Sequence, residues 1–123
     1  MTTQGAPGLA GLASVAVDCT DDPAMLARWW QGLIGGDVEV DGEGDASLYA
    51  EGYVGLDFLR VPEAKTVKNR LHLDLRASDF DAAVAAALAH GATRADDVYT
   101  GTSWATLRDP YGNEFCILRP RTG

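Results

Sequence analysis

A weak internal repeat constrains this chain more than any other feature. Shifting the sequence by the 57 positions that separate Gly55 from Gly112 also lays Phe58 on Phe115 and Asp22 on Asp79. Leu56-Asp57-Phe58-Leu59-Arg60-Val61 then overlies Asn113-Glu114-Phe115-Cys116-Ile117-Leu118. Three identities carry little weight alone. They gain it because the helix and strand signals recur in the same order, as duplicated units require. Two copies of one unit are therefore expected, over about residues 11–62 and 69–119.

The best-marked part of the unit runs from Asp109 to Leu118. Asp109-Pro110-Tyr111-Gly112 spells a tight turn: Asp bonds nearby backbone, Pro presets φ, and Gly suits the last position. Ser103–Leu107 before it and Glu114–Leu118 after it are short and rich in β-formers, so the stretch reads as a hairpin. In the first copy, Val15–Cys19 reads as a strand and Asp21-Asp22-Pro23 as an acidic helix cap with Pro in the first turn. Leu26, Trp29, Trp30 and Leu33 share one helical face, and Gly35-Gly36 ends the helix. This spacing predicts one Trp ring packed on a sheet and the other at the helix edge. A short strand at Asp37–Val40 and a hairpin of 47–51 and 53–59 around Gly52 complete the copy.

The second copy opens with Leu71-His72-Leu73-Asp74-Leu75, a period-two strand with His72 and Asp74 on one face and three Leu on the other. Ser78, with Asp81 three residues on, reads as a capping box. Val84, Ala87 and Leu88 form the helical face, and Gly91 ends it. A strand within 92–98 and a turn at Gly101-Thr102 lead to the hairpin. Each copy is thus β-α-β-β-β, with helices at about 23–34 and 79–90. The fold class is α+β, with two such modules forming curved mixed sheets around a shared cleft.

A chain of 123 residues makes one domain's core. The Gly-, Ala- and Thr-rich residues 1–10 read as a flexible arm before a single domain over 11–123. No run approaches the roughly 18 apolar residues of a membrane span, and no signal-like segment opens the sequence, so no membrane partner and a cytoplasmic location are expected. The net charge of −8 opposes a nucleic-acid partner. Cys19 and Cys116 read as reduced, buried thiols, and no Cys/His spacing matches a zinc site. Lys65, Lys68 and Arg70 form a local basic cluster, either a solvated connector or a guide for an anionic ligand.

Strand alternation places the chemistry. If each helix covers one face of its sheet, His72 and Asp74 turn to the cleft, as do Glu114 and Cys116, with Asp57 and Leu59 as first-copy counterparts. A trough of this kind has room for a small molecule. Trp104 and tyrosines 49, 53 and 99 can add flat faces near strand ends.

At Asp109-Pro110-x-Gly112-Asn113-Glu114-Phe115-Cys116 and Lys68-Asn69-Arg70-Leu71-His72-Leu73-Asp74-Leu75 the sequence resembles the vicinal oxygen chelate superfamily, and within it the small glyoxalase-like, bleomycin-resistance-like proteins. The resemblance covers nearly all of the chain after residue 11 and implies the paired-module fold. Metal-using members place His at the start of each copy's first strand and Glu in each copy's last strand. Here His72 matches, but the first-copy position is Val15, or Ser14 if the first copy carries an insertion before Pro23. The C-terminal Glu position is Cys116, and its counterpart is Leu59. No metal and no cofactor are therefore expected. A metal-dependent lyase or dioxygenase using His72 as one ligand is the alternative.

Two functions follow. One is a metal-independent binder that sequesters a small molecule. The other is an isomerase, lyase or cyclase with His72 as acid/base and Asp74 or Glu114 as its carboxylate partner. Asp57, Leu59, Trp104 and Cys116 are the candidate ligand-binding residues. Because half-barrel sheets leave open edges, a homodimer is expected, as the resemblance also implies.

Overall fold

The computed structural model describes residues 2–99 and 103–121; the expected Gly101-Thr102 turn lies outside them. Two four-stranded sheets are present, each with one helix. The first module runs β1 (Ser14–Cys19), α1 (Pro23–Ile34), β2 (Asp37–Val40), β3 (Ala46–Tyr49) and β4 (Gly55–Arg60). The second runs β5 (Leu73–Arg76), α2 (Phe80–Ala89), β6 (Thr93–Arg94), β7 (Trp104–Arg108) and β8 (Glu114–Leu118). Strand orders are β1-β4-β3-β2 and β5-β8-β7-β6, so each sheet is antiparallel except for the parallel pair made by its first and last strands. That parallel pair needs a crossover, which the helix and two strands between supply.

The duplicated architecture is as expected; several boundaries differ. The α2 cap is Asp79, whose side chain accepts from the Ala82 backbone N–H, rather than Ser78. The first hairpin is shorter than its sequence limits, with Gly52 at φ +85° in the connection where an L side chain would be strained. β6 has two residues, although a longer strand fits 92–98 by composition. β5 begins at Leu73, where pairing with Phe115 of β8 begins. His72 therefore precedes the strand, and Leu71, expected on one strand face with Leu73 and Leu75, is 87 % exposed.

Sheet register refines the repeat. Val17 pairs Phe58 and Leu73 pairs Phe115, so Val17 and Leu73 are equivalent, 56 positions apart. The helix caps Asp22 and Asp79 keep the 57-residue offset. The extra residue thus lies in the second copy, between β5 and α2. The first-module counterpart of His72 is Ala16, not Val15 or Ser14.

Phe58, Leu56 and Leu48 on one sheet, and Phe115, Ile117 and Leu107 on the other, are buried on the helix sides. One contiguous cluster holds them together with Leu26, Ala27, Trp30, Val84 and Ala87. Helix α1 joins the modules. Trp30 is buried edge-on to Phe115 of the second sheet, with centroids 4.8 Å apart, and Trp29 lies at the helix edge. The Tyr111 hydroxyl donates to the Asp22 carbonyl at the start of the same helix. Among the described residues no helix is long and apolar enough to cross a membrane.

Candidate functional site

A cavity of about 620 Å³ lies at the seam of the two modules. β1 lines one side, and the segment 69–73 with the 109–115 hairpin lines the other. Its floor is apolar, with Val15, Val17, Trp30, Leu73 and Phe115. Its polar rim includes Lys65, Asn69, Arg70, His72 and Glu114. Cys19 also lines it, but burial first, and Asp45 second, push that thiol up to about 11. It is a neutral wall, not a nucleophile.

Glu114 turns to the face of its sheet opposite Phe115, as alternation requires, yet it is only 3 % exposed and fully engaged. One carboxylate oxygen accepts from the Asn69 backbone N–H at 2.8 Å. The other accepts from Lys65 Nζ at 2.9 Å and Arg108 Nε at 3.4 Å. Burial pushes its pKa up, but the Asn69 bond and the Lys65 ammonium outweigh that and hold it below the usual carboxylate range. Glu114 is therefore an ionised anchor that ties the linker to β8. Arg108 is held in turn by a bidentate pair with Asp97.

His72 Nδ1 lies 2.9 Å from Asp74 Oδ1. A carboxylate can only accept, so Nδ1 carries the proton in this pair. Cys116 sits behind this pair, buried, with its sulfur 3.5 Å from Thr106 Oγ1. Burial raises the Cys116 thiol most, the Thr106 bond opposes it, and Asp74 raises it further. Tyr99 covers the His72 ring at 5.6 Å and carries Lys68 Nζ on its own face at 4.8 Å.

The predicted residues thus divide. His72 and Glu114 line the seam cavity. Asp74 and Cys116 stand one step behind His72 and do not line it. Asp57 lies on the first sheet, where the Ser14 hydroxyl donates to one carboxylate oxygen at 2.8 Å and the Ser47 hydroxyl to the other at 2.6 Å. Leu59 is half-buried beyond it. Trp104 lines a separate recess against Phe80, Val84 and Leu88 of α2. Sequence reasoning missed Trp30 and Asp109 as cavity walls. Asp109 is buried and accepts from Trp30 Nε1, the backbone N–H groups of Tyr111 and Asn113, and the Asn113 side chain. Burial still raises its pKa, because desolvation exceeds those bonds. The turn signature identified Asp109, but nothing local showed that Trp30 reaches it. Lys65 and Asn69 were visible only as part of a basic linker.

The donor set of metal-using members does not fit here. Register puts Ala16 and Leu59 at the first-module positions, and neither carries a donor. Among the described residues, His72, Asp74 and Cys116 bring donor atoms within 4.8 Å of one another. In that trio His72 and Asp74 already bond each other, and burial raises the thiol's pKa.

Comparison with known proteins agrees with this architecture. A family model described as a glyoxalase-like domain matches residues 14–118. No curated protein sequence matches the chain. Among solved structures, it is similar to a glyoxalase/bleomycin resistance protein/dioxygenase family enzyme from Burkholderia phytofirmans. The TM-score is 0.70 at 22 % identity, over 91 % of this chain and all (100 %) of that one. An antibiotic binding protein from a Streptomyces species gives 0.66 at 18 % identity, over 93 % and 98 % of the two chains. A fosfomycin resistance protein from Listeria monocytogenes, complexed with Mn(II) and 1S,2S-dihydroxypropylphosphonic acid, gives 0.71 at 10 % identity, over 92 % of each. At such identities these likenesses concern the fold.

Proposed function

The chain belongs to the glyoxalase-like domain family, and on that premise we propose that it binds a small, largely apolar molecule in the seam cavity without a metal. The observation that carries this reading is the cavity itself. Its volume of about 620 Å³ lies within the usual range for small-molecule sites, and an apolar floor beneath a few fixed polar groups suits a ligand with one polar end. Val15, Val17 and Leu73 offer the apolar surface, and His72 and Asn69 the polar contacts. Sequestration is the simplest job for such a pocket, and it accords with the likeness to an antibiotic binding protein.

The His72–Asp74 pair favours a second reading, in which the same pocket turns its ligand over. With Nδ1–H fixed on the carboxylate, Nε2 is free to take a proton from a bound molecule, and Asp74 stabilises the imidazolium that results. Glu114, spent on Lys65 and Asn69, serves either reading as an anchor of the rim. His72→Gln separates the two. In a binder it weakens affinity modestly and evenly between about pH 5 and 8. In an enzyme it removes turnover and its pH dependence over that interval. Equal binding and turnover by the variant and wild type would make His72 structural.

A further inference from the structure

Trp29 and His90 clasp the two modules through bonds that run both ways. The Trp29 indole N–H donates to the His90 carbonyl at 2.8 Å, and His90 Nε2 lies 2.7 Å from the Trp29 carbonyl, to which it can only donate. The rings stack with centroids 4.9 Å apart at 28°. His90 caps α2, so its carbonyl belongs to the helix end that lacks partners within the helix; an indole from the other module supplies one.

Two glycines make room for the clasp. Gly32 lies inside α1, where glycine is a poor helix former. A Cβ there would stand 2.6 Å from His90 Nε2. Gly91 has φ +114°, and a Cβ would lie 3.3 Å from Trp29 Nε1. The neighbouring Trp30 forms the cavity floor with Phe115 and bonds Asp109 on the cavity wall.

We infer that this Trp29–His90 clasp, seated on Gly32, is a positioning device that sets the width of the seam cavity by fixing where α1 carries Trp30 against the second module. The inference rests on the proposed role of the cavity as the ligand site. It gives His90, which lines no part of that cavity, a measurable effect on what the cavity holds. Gly32→Ala tests it well, because the new methyl displaces the His90 ring while leaving His90, Trp29 and all cavity residues in place. His90→Ala removes the ring, and His90→Gln restores an N–H donor for the Trp29 carbonyl.

The experiment titrates each full-length protein with anilinonaphthalene sulfonate by fluorescence and records its melting temperature. Val15→Trp, which fills the cavity from β1, identifies the cavity-bound signal. Gly32→Ala and His90→Ala are expected to weaken cavity binding by about tenfold, with His90→Gln recovering most of the loss. Gly32→Ala should do so with little change in melting temperature, since the helix gains what the clasp loses. Unchanged affinity in both variants, whatever their melting temperatures, would overturn the inference. A wild-type signal insensitive to Val15→Trp would instead overturn the cavity as the binding site.

Discussion

Glu114 illustrates how far residue-level reasoning reaches and where it stops. Alternation along Glu114–Leu118 correctly sends Glu114 and Cys116 to one face and Phe115 and Ile117 to the other. It could not show that Lys65, 49 positions away, would occupy that carboxylate. The consequence is testable. Glu114→Gln should cost about 1–3 kcal/mol in denaturant unfolding, the range for a buried hydrogen-bonded charge whose cationic partners are partly solvated. Because the folded pKa of Glu114 lies below its ordinary value of 4.5, its stabilisation is present above about pH 4.5 and is lost as pH falls through the lower folded value. The variant should lack that part of the acid limb. Asp109 has the opposite sign. Its folded pKa is raised by burial, so ionisation costs stability at neutral pH and acid relieves the cost. Stability curves of Asp109→Asn should therefore gain relative to wild type as pH rises through the carboxylate range. The reverse trend in either variant would contradict these assignments.

At the scale of elements, the helices and most strands were legible because periodicity and caps agree. Asp22 caps α1 as its sequence indicates, its side chain accepting from the Ala24 backbone N–H at 3.0 Å. Asp22→Ala should cost about 1 kcal/mol, read as a lower urea midpoint with an unchanged slope. Where the reading failed, tertiary contacts had overridden local pattern. Leu71 continues a perfect alternation, yet Asn69 is drawn to Glu114 and parallel pairing begins only at Leu73. The α2 cap lies one residue beyond Ser78, because it is the Asp79 side chain that accepts from the first-turn N–H of Ala82. The one-residue difference between copies escaped the constant 57-residue offset, and the conditional insertion before Pro23 put it in the first copy, because the repeat was anchored on caps rather than on sheet register. Contacts across the seam, Trp30 with Asp109 above all, join residues 79 apart in sequence and leave no local trace.

For the molecule as a whole, α1 packs on its own sheet and bonds the second module through Trp29 and Trp30, and Trp30 carries it to the cavity. The open edges of both sheets and exposed side chains such as Tyr49 and Val67 suit a second copy. A homodimer is the expected state in solution, and light scattering that gives a single 13.0 kDa species across micromolar concentrations would count against it. Chelators should leave the melting temperature unchanged, because two of the four metal-ligand positions of the superfamily are Ala16 and Leu59. The most direct test combines these points. Chelator-treated, nitrogen-labelled protein is screened by magnetic resonance against a panel of small aromatic molecules. Binding molecules should shift amides in residues 15–20, 69–73 and 109–115, the three segments that wall the cavity, and added divalent metal should change neither the set nor its affinity. Shifts confined to other surfaces, or binding that appears only once metal is supplied, would contradict a metal-independent seam site.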